Sequence, residues 1–253
     1  MNVYWLLQTG GDLPARTDWL SPAEAAHLSG LRFPKRRADW LLGRWTAKRA
    51  LAVYLNVPHP AEALPRIEIR SRSSGAPQAF LANEPAAVTL SISHRASTAI
   101  CAVAPAGASL GCDLEVIETR NDAFVADYCC ADERALVASA PEPGRPLLVT
   151  LLWSAKESAL KALCAGLRLD TRSVVVGLDD PLPIQGQNGG LGPEGAPTGL
   201  PAPPGQNHWR ALHVRSSDGQ IFNGWWQCAG DVVRTLVAAP PPSTPCVLNL
   251  PGL

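Results

Sequence analysis

The chain has 253 residues, 46% hydrophobic and 17% charged, with 22 Lys plus Arg balanced by 22 Asp plus Glu. That composition describes a soluble globular protein long enough to bury a core and excludes a disordered chain. Zero net charge argues against bulk nucleic-acid binding, and the opening "MNVYWLLQTGGDLP" lacks the basic start and apolar length of a signal peptide or membrane span.

In chain order, the first half predicts strands over 3–7, 67–71, 88–93 and 98–104, with helices over 22–29 and 35–54. The second half predicts strands over 110–116, 173–178, 209–214, 220–227 and 232–238. Its helices cover 122–130, 131–138 and 146–163. Residues 180–206 are rich in Gly and Pro and read as a mobile surface insertion, and the proline-rich tail 241–253 reads as flexible. Seven cysteines, at 101, 112, 129, 130, 164, 228 and 246, form no CxxC pair; without an export signal they read as reduced thiols of a cytoplasmic protein.

An internal echo runs through this order. Trp45-Thr-Ala-Lys48 matches Trp153-Ser-Ala-Lys156 at an offset of 108, each within an amphipathic helix. "STAICAVAP" and "RTLVAAP" end at Pro105 and Pro240, an offset of 135, and the excess of 27 equals the length of the 180–206 tract. A duplicated α+β unit accounts for both.

Four stretches carry chemistry. "RFPKRRADWLLGR" with the following "AKR" gathers Arg32, Lys35, Arg36, Arg37, Arg44, Lys48 and Arg49 near one helix, either as a solvated face or as a site for a phosphate-rich ligand. "SISHR" puts Ser91, Ser93 and Arg95 on one face of a strand end and Ile92 and His94 on the other. No nucleophile elbow, Walker A sequence or GxGxxG is present. "GCDLEVIE" points Asp113 and Glu115 the same way from one strand. Two such charges, about 7 Å apart, repel by roughly 2.4 kcal/mol at an effective dielectric near 20. A shared divalent cation would turn that repulsion into binding, whereas a solvated strand face is the plainer alternative. "WSAKESALK" places Trp153, Lys156, Glu157, Leu160, Lys161 and Cys164 along one stripe. Glu157 is a third potential ligand there, and the Glu157–Lys161 spacing also suits an ordinary surface ion pair.

Taken together and in order, "RRADWLLGR", "SISH", "GCDLE" and "WSAKESALK" resemble the 4'-phosphopantetheinyl transferases, specifically the two-repeat type that activates peptide synthetases and related carrier proteins. The resemblance implies an α+β fold of two similar halves, 1–109 and 110–240, with coenzyme A in the cleft between them, in a monomer. It also implies transfer of the phosphopantetheine arm from coenzyme A to a serine of an acyl or peptidyl carrier protein, releasing 3',5'-ADP. By the same resemblance Asp113, Glu115 and Glu157 hold Mg²⁺, and Lys161 contacts the pyrophosphate. Ser93 and His94 grip phosphates, and Arg36, Arg37 and Arg44 surround the 3'-phosphate and adenine. Glu157 accepts the serine proton, while Lys161 and Lys156 stabilise developing charge. Glu133, in "CADERAL", aligns with a further acidic residue near the metal.

There are two departures: the Gly-Lys-Pro often found in that family before its SISH strand is here Gly75-Ala76-Pro77, leaving a phosphate contact either absent or supplied by Arg70 or Arg72, and the 180–206 insertion is atypical. For the carrier, "FVADYCCADERAL" and "FNGWWQC" are the two candidate docking surfaces, with Trp225 and Trp226 favoured as core. Two rivals to this function are an Mg²⁺-dependent hydrolase of coenzyme A or nucleotide pyrophosphates, and a non-catalytic coenzyme A-binding module.

Overall fold

Two long helices organise the chain because their apolar residues recur at three- and four-residue steps and both ends are marked. In this computed structural model, which describes residues 1–58, 60–165, 168–179 and 208–250, the first half comprises β1 (Tyr4–Thr9), α1 (Pro22–Gly30), α2 (Pro34–Tyr54), α3 (Pro60–Ala63), β2 (Ile67–Ser71), β3 (Pro77–Leu81), β4 (Glu84–Pro85), β5 (Val88–Arg95) and β6 (Thr98–Pro105). The second comprises β7 (Ser109–Val116), α4 (Asp122–Tyr128), α5 (Ala131–Ser139), α6 (Arg145–Ala162), β8 (Val174–Leu178), β9 (Arg210–Ser216), β10 (Ile221–Ala229), β11 (Val232–Ala239) and β12 (Cys246–Val247). Proline sits in the first turn of both α2 and α6, where its missing N–H costs nothing. Both helices end on a left-handed residue, Asn56 and Cys164, beyond which the N–H of Val57 bonds Ala52 O and that of Ala165 bonds Leu160 O.

The fold is mixed α+β. One sheet has the order β12-β1-β6-β5, a second β7-β11-β10-β9-β8, and a small third β2-β3-β4. α2 covers the first sheet over a core that includes Leu6, Trp45, Leu51, Leu90, Cys101 and Val103. α6 covers the second over Leu148, Leu152, Ala159, Val214, Phe222 and Val237. The other faces of the two sheets meet in a third core, with Trp5, Ile100 and Ala102 against Cys112, Leu114 and Leu236. β6 therefore buries both faces, which is why "AICAVA" reads as a continuous apolar run rather than an alternating one.

The edge strands β5 and β7 belong to different sheets and are stitched by side chains. The N–H of Cys112 bonds Ser91 Oγ at 3.0 Å, and Cys112 Sγ lies 3.2 Å from Ser91 O. Gly111 lets α6 press directly onto β7, since a Cβ there would run into the Ser158 carbonyl.

Two expectations change. The tail is docked, not flexible: β12 pairs in parallel with β1, the Leu248 N–H bonds Trp5 O at 2.8 Å, and Leu248 is buried. Prolines suppress helix there but leave N–H groups enough to extend an open sheet edge. The hairpin of β3 and β4 was not foreseen, because Pro77 and Pro85 disguise short strands. In "FNGWWQC", Phe222 and Trp226 are buried in the core under α6, as favoured for Trp226, whereas Trp225 is half-buried, its Nε1–H bonding Pro242 O. The predicted insertion 180–206 lies outside the described residues, as do 251–253 of the tail. All seven cysteines are unpaired, and no described helix is long and apolar enough to cross a membrane.

Candidate active site at the seam between the sheets

β7 and α6 run antiparallel, so the C-terminal end of the helix meets Asp113 and a point two turns earlier meets Glu115. Lys161 Nζ donates to Asp113 Oδ1 at 2.7 Å and to Cys112 O at 3.1 Å. Two turns earlier on the same helix face, the Trp153 Nε1–H donates to Glu115 Oε1 at 3.1 Å. Glu157 lies between them. From β5, Ser93 Oγ donates to Asp113 Oδ1 at 2.8 Å, and Arg95 Nε stands 3.4 Å from Glu115 Oε2 while its Nη2 bonds Glu118 at 2.7 Å. The structure thus brings together Ser93, Asp113, Glu115, Glu157 and Lys161 from three separated stretches of sequence.

Electrostatics at this seam disfavour ionisation of two of its carboxyls. Burial raises the Glu157 carboxyl above its ordinary range; Lys161 opposes the shift, and Asp113 and Glu115 add to it. Burial and then Asp113 raise Glu115, against the Trp153 hydrogen bond and the charges of Arg95 and Arg120. For Lys161, burial pulls downward but is outweighed by Asp113, with Cys112 and Glu157 helping, so the ammonium is held above its ordinary value.

Among the described residues, no three His, Cys, Asp or Glu side chains close into a ready-made metal cage. Asp113 Oδ1 is taken by Lys161 and Ser93, and Glu115 Oε1 by Trp153. Yet Asp113 Oδ2, Glu115 Oε2 and Glu157 Oε1 are all buried without a hydrogen-bond partner. Leaving such atoms unpaired costs about 1–3 kcal/mol each, or more when charged. Three spare hard oxygens suit Mg²⁺ in donor chemistry.

Other expected residues fall elsewhere, for reasons of helix geometry. Lys156 is fully buried, ion-paired to Glu133 at 2.8 Å and donating to the Thr171 and Val174 carbonyls. Neighbouring helix residues point about 100° apart, so Lys156 cannot share the stripe of Glu157 and Lys161. Its assignment to the chemistry is therefore corrected to a core ion pair, and Glu133 with it: the Glu133 carboxylate bonds the N–H of Cys130 and of Val176, away from the three acids.

The basic helix divides likewise. Arg37 and Arg44, seven apart and on one side of α2, both turn toward α1. Arg37 donates to the Leu28 and Leu31 carbonyls at the end of α1. Arg44 is largely buried, 4.0 Å from Glu24 and over the Trp40 ring, with burial lowering its pKa. Neither is free to surround a phosphate, which corrects both assignments.

Arg36 stays exposed and lines a hollow of about 490 Å³ with Phe33, Lys35, Asp39, Trp40 and His94. Burial lowers the His94 pKa, partly offset by Asp39, which favours a neutral imidazole. Further along β5, a cleft of about 600 Å³ is lined by Arg72, Ala76, Ser91, Ser109, Lys161 and Cys164. That volume is in the range of small-molecule sites. Of the two arginines that could replace the missing lysine, Arg72 lines the cleft, whereas Arg70 is held by Glu68 and Asn83 over the Phe80 ring.

Sequence reasoning assigned no role to two contacts, Trp153 to Glu115 and Arg95 to Glu115. Strand alternation already placed Arg95 beside Ser93, and four-residue spacing placed Trp153 above Glu157; the signal was present, without a partner to aim it at.

No curated protein matches the chain. Residues 109–197, which hold β7, α6 and the side chains of Asp113, Glu115, Glu157 and Lys161, match the family model described as the 4'-phosphopantetheinyl transferase superfamily.

Proposed function

We propose that this protein transfers the 4'-phosphopantetheine arm of coenzyme A to a serine of an acyl or peptidyl carrier protein, with Mg²⁺ and with release of 3',5'-ADP. The observation that carries the reading is the set of three buried carboxylate oxygens without a hydrogen-bond partner, on Asp113, Glu115 (whose Oε2 is ion-paired to Arg95 at 3.4 Å) and Glu157, beside Lys161, which also lines the cleft. Asp113, Glu115 and Glu157 would hold the cation, which when bound supplies Lewis-acid neutralisation of a pyrophosphate.

The rest of the chemistry belongs to the chain. Lys161, pinned by Asp113, presents a cation to the pyrophosphate and to the charge that develops as the phosphoryl oxygen bond breaks. Glu157, directly or through a water, is the candidate to take the serine proton, from its place on α6 between Lys161 and Trp153. Ser93 orients Asp113. Arg36 and His94 receive the 3'-phosphate in their hollow, and Arg72 reaches the cleft where the lysine of Gly-Lys-Pro is missing.

The same reading takes the halves 1–109 and 110–240 as a duplicated unit. Two buried pairs support it, Lys48–Glu24 and Lys156–Glu133, whose lysines stand 108 residues apart. For carrier docking, the segment from Phe124 to Leu136 is favoured, with Leu136 exposed.

The test is incubation with coenzyme A, Mg²⁺ and an apo carrier domain. A mass gain of one phosphopantetheine arm on the carrier supports the proposal. Turnover of coenzyme A without any carrier would favour a pyrophosphate hydrolase instead, and binding without turnover a coenzyme A-binding module.

A further inference from the structure

Trp153 occupies a position that packing alone does not explain. Its Nε1–H is spent on Glu115 Oε1 at 3.1 Å, while the other oxygen of that carboxylate has no hydrogen-bond partner and faces Arg95 Nε at 3.4 Å. The ring is held edge-on by two aromatics of α4: Tyr128 at 4.9 Å and 69°, and Phe124 at 5.4 Å and 67°. Those two rings contact each other at 4.7 Å, and the Arg120 guanidinium lies 4.9 Å over Phe124. A donor on a ring clamped in this way cannot follow a carboxylate that swings; it fixes one.

We propose that Trp153 is a positioning residue: its indole N–H locks one oxygen of Glu115 so that the other is held ready for the divalent cation, and the Phe124–Tyr128 pair locks the indole in turn. This rests on the reading above that Glu115 is a metal ligand. The arrangement also gives α4, which follows directly after β7, a part in the site without touching substrate. Hydrogen bonds to a ligating carboxylate commonly govern metal affinity by 10- to 100-fold.

Trp153→Phe keeps an aromatic ring against Phe124 and Tyr128 and removes the donor together with the five-membered ring that carries it. The full chain is titrated with Mg²⁺ by calorimetry in the absence of coenzyme A, and the rate of transfer is then followed against Mg²⁺ concentration. The expected result is about a tenfold weaker Mg²⁺ dissociation constant and an equal rise in half-saturating Mg²⁺. Melting temperature, the KM for coenzyme A and kcat at saturating Mg²⁺ should stay close to those of the unaltered chain. In a Glu115→Gln background the Trp153 substitution should add nothing further.

Unchanged Mg²⁺ affinity in Trp153→Phe, or effects of the two substitutions that multiply, would overturn the inference while leaving the proposed activity standing. An unaltered chain that binds no Mg²⁺ would overturn the assignment of Glu115 and this inference together. Should Trp153→Phe fold poorly, Tyr128→Leu loosens the clamp and leaves the donor. A smaller loss of Mg²⁺ affinity is expected there, and none would count against the clamp.

Discussion

The regions around α2 and α6 are alike where they build and different where they would react. Lys48 and Lys156, 108 residues apart, are both fully buried. Lys48 pairs with Glu24 and donates to Trp19 O at 2.9 Å; Lys156 pairs with Glu133 and donates to Thr171 O at 2.9 Å. Glu24 and Glu133 are each the third residue of their helix, reaching back to the N–H of Ser21 and Cys130. The second oxygen of each accepts from a strand, from Ile69 at 3.2 Å and from Val176 at 2.9 Å.

One turn beyond these lysines the likeness stops. The 108-residue offset puts Arg49 and Val53 of α2 where α6 has Glu157 and Lys161, and Trp5 and Leu7 of β1 where β7 has Asp113 and Glu115. The buried pair is therefore a device for joining a short helix, a long helix and a strand. The acids of β7 and α6 have no counterpart at the matching positions of β1 and α2.

Breaking the acidic side should have the largest effect. Glu157→Ala should lower transfer on the order of 10²- to 10⁴-fold, the usual contribution of a positioned acid–base group, with the circular dichroism spectrum unchanged. Arg49→Ala, at the matching register of α2, should leave transfer within about twofold. Equal losses in a carrier mass-shift assay would erase the distinction between the two helices.

Next come the buried lysines. Lys156→Met and Lys48→Met each strand a buried carboxylate and should each cost about 3–5 kcal/mol in denaturant unfolding. Replacing Lys156 and Glu133 together with apolar residues should recover much of that loss. A Lys156→Met protein of undiminished stability but without transfer would return Lys156 to the catalytic set.

A smaller contrast separates the arginines of α2. Arg36→Ala should raise the KM for coenzyme A about tenfold, the scale of one charge-assisted hydrogen bond, and change that for 3'-dephospho-coenzyme A little. Arg44→Ala should lower the melting temperature without distinguishing the two substrates. Equal shifts in both KM values for Arg36→Ala would remove the 3'-phosphate from its hollow.

The smallest effect is on pH. Because the folded Glu157 pKa lies above its unfolded value, the native state binds the extra proton, and stability falls as pH rises from the unfolded pKa through the folded one. Without metal, Glu157→Gln should therefore melt higher than the unaltered chain at neutral pH and lose that advantage below the unfolded glutamate range. Thermal melts across pH, with chelator present, measure this.

Much of the fold was legible because its signals are local. α2 and α6 announce themselves by apolar periodicity and an initial proline, and the major strands by alternation or by the unbroken run of β6. The docked tail was not legible: whether "STPCVLNL" extends β1 depends on an unfilled sheet edge some 240 residues earlier. The site was legible in part. Spacing placed Asp113 with Glu115 on one strand face and Glu157 with Lys161 on one helix face but left a solvated surface as the alternative; the structure puts Asp113 and Lys161 2.7 Å apart.

By itself, the sequence determined which residues share a helix or strand face, since periods of 3.6 and 2 are properties of the backbone. Only the tertiary structure decided what each face meets. Arg36 and Arg37 are neighbours in sequence, yet one lines a hollow and the other caps α1; Lys156 and Glu157 part in the same way, one into a core ion pair and one to the seam. The physical reason is that a charged side chain takes its role from the desolvation and the partners around it, and those come from elements distant in the chain.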